Sequence, residues 1–363
     1  MKNVLILTNN MNGGGAERVL LTILENLPRD QYCVDLALVY REGTLLKQLP
    51  DSLNVVALFE KRTAATSELI KKDNGELYHV LAKHKYDVEI AFLEGNAVKI
   101  MSKSTNTDAM KIAWVHIDLF KEHYTESIYE SLNHERNAFL SFDKIFCVST
   151  AARNGLGNLF GTEILSKSYV VFNPIDHVRI QRLADHAIIP KKGITFCAVG
   201  RLDEQKGFDR LLYATRCLLS EGFKFHIWLL GEGPLHCALR EHCNALDISE
   251  YISFLGFQEN PYPYISQADA LISSSRAEGL PMVTGEALIL RTPVIATNCS
   301  GQAEALQYGK YGLLVDNSHL GVYNGMKAFL SGAYTGSEIM YSGPERFLPY
   351  QLDQYFQRIC KLV

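Results

Sequence analysis

Several protein classes are excluded by what the chain lacks. Its 36 lysines and arginines do not exceed its 40 aspartates and glutamates, so the formal net charge is −4. A dedicated nucleic-acid binder carries a basic excess to neutralise phosphates, so no nucleic-acid partner is expected. No apolar run reaches the roughly eighteen residues that a membrane-spanning helix needs. The opening MKNVLILTNN turns polar too soon for the apolar core of a secretory signal. The eight cysteines are scattered, with no C-x-x-C pair and no Cys/His cluster of zinc spacing. They read as free thiols in a reducing compartment, and the chain is expected to be cytoplasmic. No short internal repeat and no low-complexity tract occurs.

What is present is material for packed cores: 363 residues, of which 47% are hydrophobic and 10% aromatic. That length suits two ordinary domains. Short β-branched runs alternate with helix-like stretches from end to end, the pattern of βα repeats around parallel sheets, so the fold class is α/β. Strands are expected at Val4–Thr8, Val34–Val39, Val55–Leu58, Val88–Phe92, Ile112–His116, Ile145–Ser149 and Ser168–Val171. Helices are expected at Ala16–Leu27, Ser67–His84 and Ser127–Phe139. Asn173 to Gly193 interrupts the rhythm with a proline and polar residues. A second series follows: strands at Ile194–Gly200, Phe225–Gly231, Ile252–Leu255, Ala270–Ser274 and Pro293–Thr297, with helices at Gly207–Ser220, Leu235–Leu246 and Pro281–Leu290. The reading is two Rossmann-like, doubly wound domains: 1–173, completed by a crossover helix at 345–363, and 174–344.

Ligands of open α/β sheets bind at the carboxyl ends of strands, here in a cleft expected between the two domains. The stretch from Ser275 to Glu286, reading SRAEGLPMVTGE, is such a strand end running into a helix. Pro281 suits the first helical position. Free amides over Gly279, Leu280, Pro281, Met282 and Val283, proline itself excepted, together with the helix dipole, then make an anion site fit for phosphate. Glu278 and Glu286 cannot bind phosphate; their carboxylates suit the hydroxyls of a sugar or a ribose. Arg201 and Lys206, in Gly200-Arg-Leu-Asp-Glu-Gln-Lys-Gly207, flank another strand end and can reach one diphosphate, the first as a planar fork and the second as a point charge. Gly231-Glu232-Gly233-Pro234 ends the next strand and is expected to shape a nucleoside pocket. These are the requirements of a nucleotide-sugar.

The G-R-L-x-x-x-K-G stretch and the E-G-L-P-x-x-x-x-E stretch resemble the donor domain of the retaining, GT-B-fold glycosyltransferases of family four. The resemblance covers nearly the whole chain. It implies that Arg201 and Lys206 bind the diphosphate, that Glu286 holds the ribose and that Glu278 holds the hydroxyls of the transferred sugar. The loop Asn12-Gly-Gly14-Gly15-Ala-Glu-Arg18 resembles the G-G-A-E-R loop of members that extend bacterial surface polysaccharides. Gly14 and Gly15 let backbone approach the donor phosphates and, at Gly15, the acceptor. The loop is not a dinucleotide fingerprint, because Arg18 stands where the last glycine is required. His116 resembles the family's cleft histidine, with roles in catalysis and at the acceptor; Glu94 and Asp118 are assigned to the acceptor side only.

Together these readings make the chain a retaining transferase that moves a hexose or N-acetylhexosamine from a nucleotide-sugar, a UDP-sugar first, to a saccharide acceptor, with catalysis by His116, Glu278, Arg201 and Lys206. No metal or other cofactor is expected. The acceptor is expected to be lipid-linked, and basic residues such as Lys61, Arg62, Lys71 and Lys72 offer contacts to an anionic inner membrane face. Two other classes remain open: a nucleotide-sugar epimerase of related fold, and a non-catalytic sugar-nucleotide-binding subunit.

Overall fold

The structure, a computed structural model, describes residues 1–336 and Tyr355. Its chain contacts divide into two compact units, one covering Met1–Pro174 and including Tyr355, the other beginning at Ile175. The first is built on seven strands: β1 (Lys2–Thr8), β2 (Tyr32–Tyr40), β3 (Asn54–Phe59), β4 (Val88–Ala91), β5 (Met110–Val115), β6 (Lys144–Cys147) and β7 (Ser168–Val170). They lie in the order β3-β2-β1-β4-β5-β6-β7, with every pair parallel. The second unit has six: β8 (Thr195–Val199), β9 (His226–Leu230), β10 (Ile252–Gly256), β11 (Ala270–Ser273), β12 (Val294–Thr297) and β13 (Leu313–Val315). Their order, β10-β9-β8-β11-β12-β13, repeats the same doubly wound pattern, again all parallel.

Burial explains why these runs are strands. β9, HIWLL, and β12, VIAT, are buried at every position, as a strand covered by helices on both faces must be. Successive side chains go to opposite faces. Phe196, Ala198, Ile227, Leu229, Ile272 and Ile295 therefore join the core under one helical layer. Their neighbours Cys197, Trp228, Leu230, Leu271, Val294 and Ala296 join the core under the other.

The expected helix over Ser67–His84 is broken into Ala64–Lys72 and Glu76–Leu81. The break falls at Gly75, whose φ of +120° no helix can hold. The helix expected at Ser127–Phe139 begins only at Leu132, capped by the Ser131 hydroxyl on the His134 amide; a 3₁₀ turn, Glu126–Ile128, precedes it. The polar stretch after Pro174 contains a helix, His177–Ala184, capped by Asp176, which proline-based reading hid. The crossover helix expected at 345–363 lies, Tyr355 apart, outside the described residues; Tyr355 is helical and buried. The seven described cysteines are all free.

In both sheets the strand order reverses beside the first strand, between β1 and β4 and between β8 and β11. Loops leaving the carboxyl ends of such a pair part in opposite directions and open a crevice. Those four loops carry most of the residues singled out from the sequence.

Candidate active site

In the second unit the β8 and β11 loops meet. Asp203 caps the short 3₁₀ turn Glu204–Lys206 by accepting from the Lys206 amide. Gly207 then turns into the helix Phe208–Ser220 with φ +61°; a Cβ there would lie 2.4 Å from the Ser274 carbonyl oxygen, so the two loops approach as only glycine permits. The Lys206 stem crosses Gly200, and its Nζ reaches Glu278 Oε1 at 2.6 Å. Ser275 Oγ donates to the same oxygen, also at 2.6 Å. Glu278 is only 8% exposed, and both of these bonds fall on Oε1. Oε2 has no hydrogen-bond partner among the described residues and is the oxygen open to a ligand hydroxyl.

Residues that the sequence did not single out fasten this pair of loops. Arg276 makes a two-pronged bond to Asp209, 2.8 Å on each prong, and donates to the Glu204 carbonyl at 2.8 Å. That pairing holds the Asp209 carboxyl below its ordinary range against the opposing effect of burial. The Arg276 amide donates to the Gln205 carbonyl, 2.7 Å away, and Gln205 Nε2 returns a bond to the Ala277 carbonyl at 3.0 Å. Arg276 stands inside the SRAEGLP stretch and was visible; its partner Asp209 carries no local sequence signal.

Arg201 stands apart. Its side chain is 65% exposed and pairs with Asp203, Nε to Oδ2 at 2.5 Å. Asp203 is only 14% exposed, so the open partner of this pair is the Arg201 guanidinium. Both cations assigned to a diphosphate are paired with carboxylates, Arg201 with Asp203 and Lys206 with Glu278.

The helix after β11 runs Met282–Ile289, with Pro281 as its cap residue rather than its first helical one. Proline has no side-chain acceptor, so no cap covers the first-turn amides. Glu286 lies one turn inside this helix, 9% exposed, and accepts from the Tyr262 hydroxyl at 3.4 Å. Gly301 supports the loop from behind: its amide donates to the Glu278 carbonyl at 3.0 Å, and a Cβ there would stand 2.4 Å from the Gly279 oxygen. Gly231 has a backbone reason of its own, φ +129° with a Cβ position 1.9 Å from the Gly200 oxygen.

In the first unit, Gly14 caps the helix Gly15–Asn26 without a side-chain bond. The Glu17 carboxylate folds over that end, 2.5 Å from a Cβ built on Gly14, while Gly15 faces open space. At the ends of β4 and β5, Glu94 Oε2 accepts from the His116 amide at 2.8 Å, and Oε1 accepts from the Tyr124 hydroxyl at 2.6 Å. Burial raises the Glu94 carboxyl. The His116 ring lies 4.8 Å from Phe92 and is stacked beside Trp114; its Nε2 is buried without a hydrogen-bond partner. Desolvation lowers its pKa to about 3, so the ring is neutral at physiological pH. Asp118 is 8% exposed; its carboxylate accepts from the Phe120 amide at 3.2 Å and lies where a Cβ on Gly155 would intrude. It closes a turn. Tyr124 was not singled out from the sequence. Among the described residues no group of three or more His, Cys, Asp or Glu is placed to hold a metal ion, and no helix is long and apolar enough to cross a membrane.

Two Rossmann-like domains, each with its loops gathered at a switch point, are the architecture of the GT-B glycosyltransferases. Residues 193–330, within the second unit, match the model of the glycosyl transferases group 1. An uncharacterized glycosyltransferase of Methanocaldococcus jannaschii is 28% identical over 276 residues, 70% of this chain and 66% of that relative. A Campylobacter jejuni N-acetylgalactosamine-N,N'-diacetylbacillosaminyl-diphospho-undecaprenol 4-alpha-N-acetylgalactosaminyltransferase is 24% identical over 91% of this chain and 90% of its own length. Among solved structures, Anabaena Alr3699/HepE in complex with UDP and glucose superposes with a TM-score of 0.79, at 18% identity, over 100% of this chain and 99% of that one.

Proposed function

We propose that the chain transfers a hexose or N-acetylhexosamine from a nucleotide-sugar to a lipid-linked saccharide, with retention of configuration, in the synthesis of a bacterial surface polysaccharide. The observation that carries this reading is the Lys206–Glu278 pair at the β8/β11 switch point, beside an uncapped helix start, in a domain that matches the glycosyl transferases group 1. A cation and free amides suit a diphosphate, and a buried carboxylate with one open oxygen suits sugar hydroxyls. The UDP and glucose bound to the Anabaena protein favour a UDP-sugar. The undecaprenol-linked acceptor in the name of the Campylobacter relative favours a lipid carrier, and with it a cytoplasmic protein working against the inner membrane face.

In the proposed step the bond from the anomeric carbon to the diphosphate breaks while the acceptor oxygen bonds to the same face. The acceptor's proton passes to the leaving phosphate oxygen. Lys206, Arg201 and the first-turn amides of the helix Met282–Ile289 meet the charge that grows on the diphosphate. Glu278 orients the sugar through Oε2, Glu286 holds the ribose, and neutral His116 is assigned to the reacting sugar and the acceptor. Glu94 and Asp118 hold the acceptor side through the loops they brace rather than by direct contact. No metal ion is assigned to this step.

The test is a transfer assay over a panel of UDP-sugars with a lipid-linked saccharide acceptor, comparing wild type with Glu278→Ala and Lys206→Ala. Each variant is expected to lose on the order of a hundredfold or more in kcat while remaining folded. Near-normal turnover in either overturns the assignment.

A further inference from the structure

Next to the loop that carries Glu278 lies a row of polar side chains, buried at Ser275, Thr284 and Gln302 and half-buried at Ser273, with no place in the binding roles above. Gln302 follows β12 in the short helix Ser300–Ala305 and is fully buried. An amide in that position costs free energy unless both of its ends are bonded, and both are. Thr284 Oγ1 donates to Gln302 Oε1 at 2.8 Å, and Gln302 Nε2 donates to Ser273 Oγ. Ser273 Oγ and Ser275 Oγ are 3.4 Å apart, and Ser275 Oγ donates to Glu278 Oε1 at 2.6 Å.

The directions along this row are fixed. Glu278, paired with Lys206, is a carboxylate and accepts only, so the Ser275 proton points at it. Ser275 therefore accepts from the Ser273 hydroxyl. Ser273 in turn accepts from the Gln302 amide, whose carbonyl takes the Thr284 proton. Every bond donates toward Glu278, and bonds aligned in this way strengthen one another in a low-dielectric interior. The row begins at Thr284, in the first turn of the uncapped helix Met282–Ile289, and ends at the carboxylate paired with Lys206.

We propose that Gln302 is a positioning residue of the donor site: it joins the helix start that receives the diphosphate to the carboxylate that receives the sugar, and so fixes which Glu278 oxygen faces the ligand. This rests on the glycosyl-transfer reading above. Without Gln302 the Ser273 and Ser275 hydroxyls lose their order, Glu278 gains other rotamers, and nucleotide and sugar no longer bind as one unit. A nucleoside diphosphate that lacks the sugar is indifferent to the change.

Gln302→Leu, of similar shape, and Thr284→Val, which interrupts the row at its other end, separate these statements. Hydrogen exchange on the ligand-free protein reads the row without any donor: amides over residues 273–284 are expected to exchange about tenfold faster in both variants, with those of β8 and β9 unchanged. Exchange unchanged over 273–284 overturns the proposal whatever the protein's activity. Calorimetric titration then uses UDP and whichever UDP-sugar the wild type transfers. UDP affinity is expected to stay within twofold in Gln302→Leu while that for the UDP-sugar falls tenfold or more. Equal losses for both ligands assign Gln302 to structure alone and overturn the positioning role. A wild type that binds no nucleotide at all sinks the glycosyl-transfer reading, and the exchange result still decides the row. The double variant is expected to be no worse than Gln302→Leu, since a row broken once has no further order to lose; additive losses count against the proposal.

Discussion

His116 shows how one side chain's surroundings set both its chemistry and its effect on stability. Its ring is packed against Phe92 and Trp114, and burial lowers its pKa to about 3. A histidine in the unfolded chain titrates near 6.5. Because the folded value lies below the unfolded one, the unfolded state takes up the proton first as pH falls. Stability is therefore lost below about pH 6.5 and continues to fall toward pH 3, by about 1.4 kcal/mol per pH unit for this one group. Denaturant unfolding at pH 7 and pH 5 is expected to show wild type losing roughly 2 kcal/mol more than His116→Gln over that interval. Equal losses would show that the ring is accessible to protons in the folded state. The same scale separates what was legible from what was not. Lys206 and Glu278, read 72 positions apart from two motifs, are brought to 2.6 Å. Glu94 as the bond to the His116 amide, 22 positions away, was hidden, because that contact depends on where loops fold rather than on neighbours in sequence.

At the level of elements, the loops after β8, β9, β11 and β12 are held together by glycines where backbones touch. Gly231→Ala forces a Cβ to within 1.9 Å of the Gly200 oxygen at φ +129°. A side chain is strained in that conformation and the clash is with backbone, so a loss on the order of 3 kcal/mol or more is expected. Gly15→Ala, which faces open space at a helix start, is expected to leave stability within about 1 kcal/mol. Chemical denaturation of the two variants side by side checks the contrast, and similar losses would remove the packing argument. The expected strands of both sheets all appear, since a strand buried on both faces must be a short continuous apolar run. Helices were less legible: the break at Gly75 and the late start at Leu132 follow from local backbone geometry and a serine cap. β13 and the helix His177–Ala184 carry too short a signal, the first over Leu313–Val315 and the second behind a proline.

For the whole molecule, the donor reading has a thermodynamic consequence independent of turnover. A nucleotide that binds only the folded chain stabilises it, by about 2.7 kcal/mol at a hundred times its Kd. Thermal unfolding with UDP, GDP and ADP is expected to show a raised midpoint for UDP, and Glu286→Ala is expected to abolish that rise. A rise with GDP or ADP instead would move the donor class; a rise retained in Glu286→Ala would remove the ribose role. The proposed lipid-linked acceptor predicts that the protein sediments with anionic phospholipid vesicles at low salt and is released as salt screens its basic residues. Failure to sediment counts against the membrane contact while leaving the transfer reaction intact.

Local pattern along the chain is enough to specify the α/β class, the two series of βα units and the loops where chemistry concentrates. Those features follow from local pattern: apolar runs of strand length, helix periodicity, and glycine, proline and charge at strand ends. Which charges meet depends on the folded arrangement. The reversal of strand order beside β1 and β8 brings loops far apart in sequence to one edge of each sheet. There Arg276 finds Asp209, and the polar row through Gln302 finds Glu278. Side-chain partners across a sheet are set by strand order and close packing, and neither leaves a periodic trace along the chain.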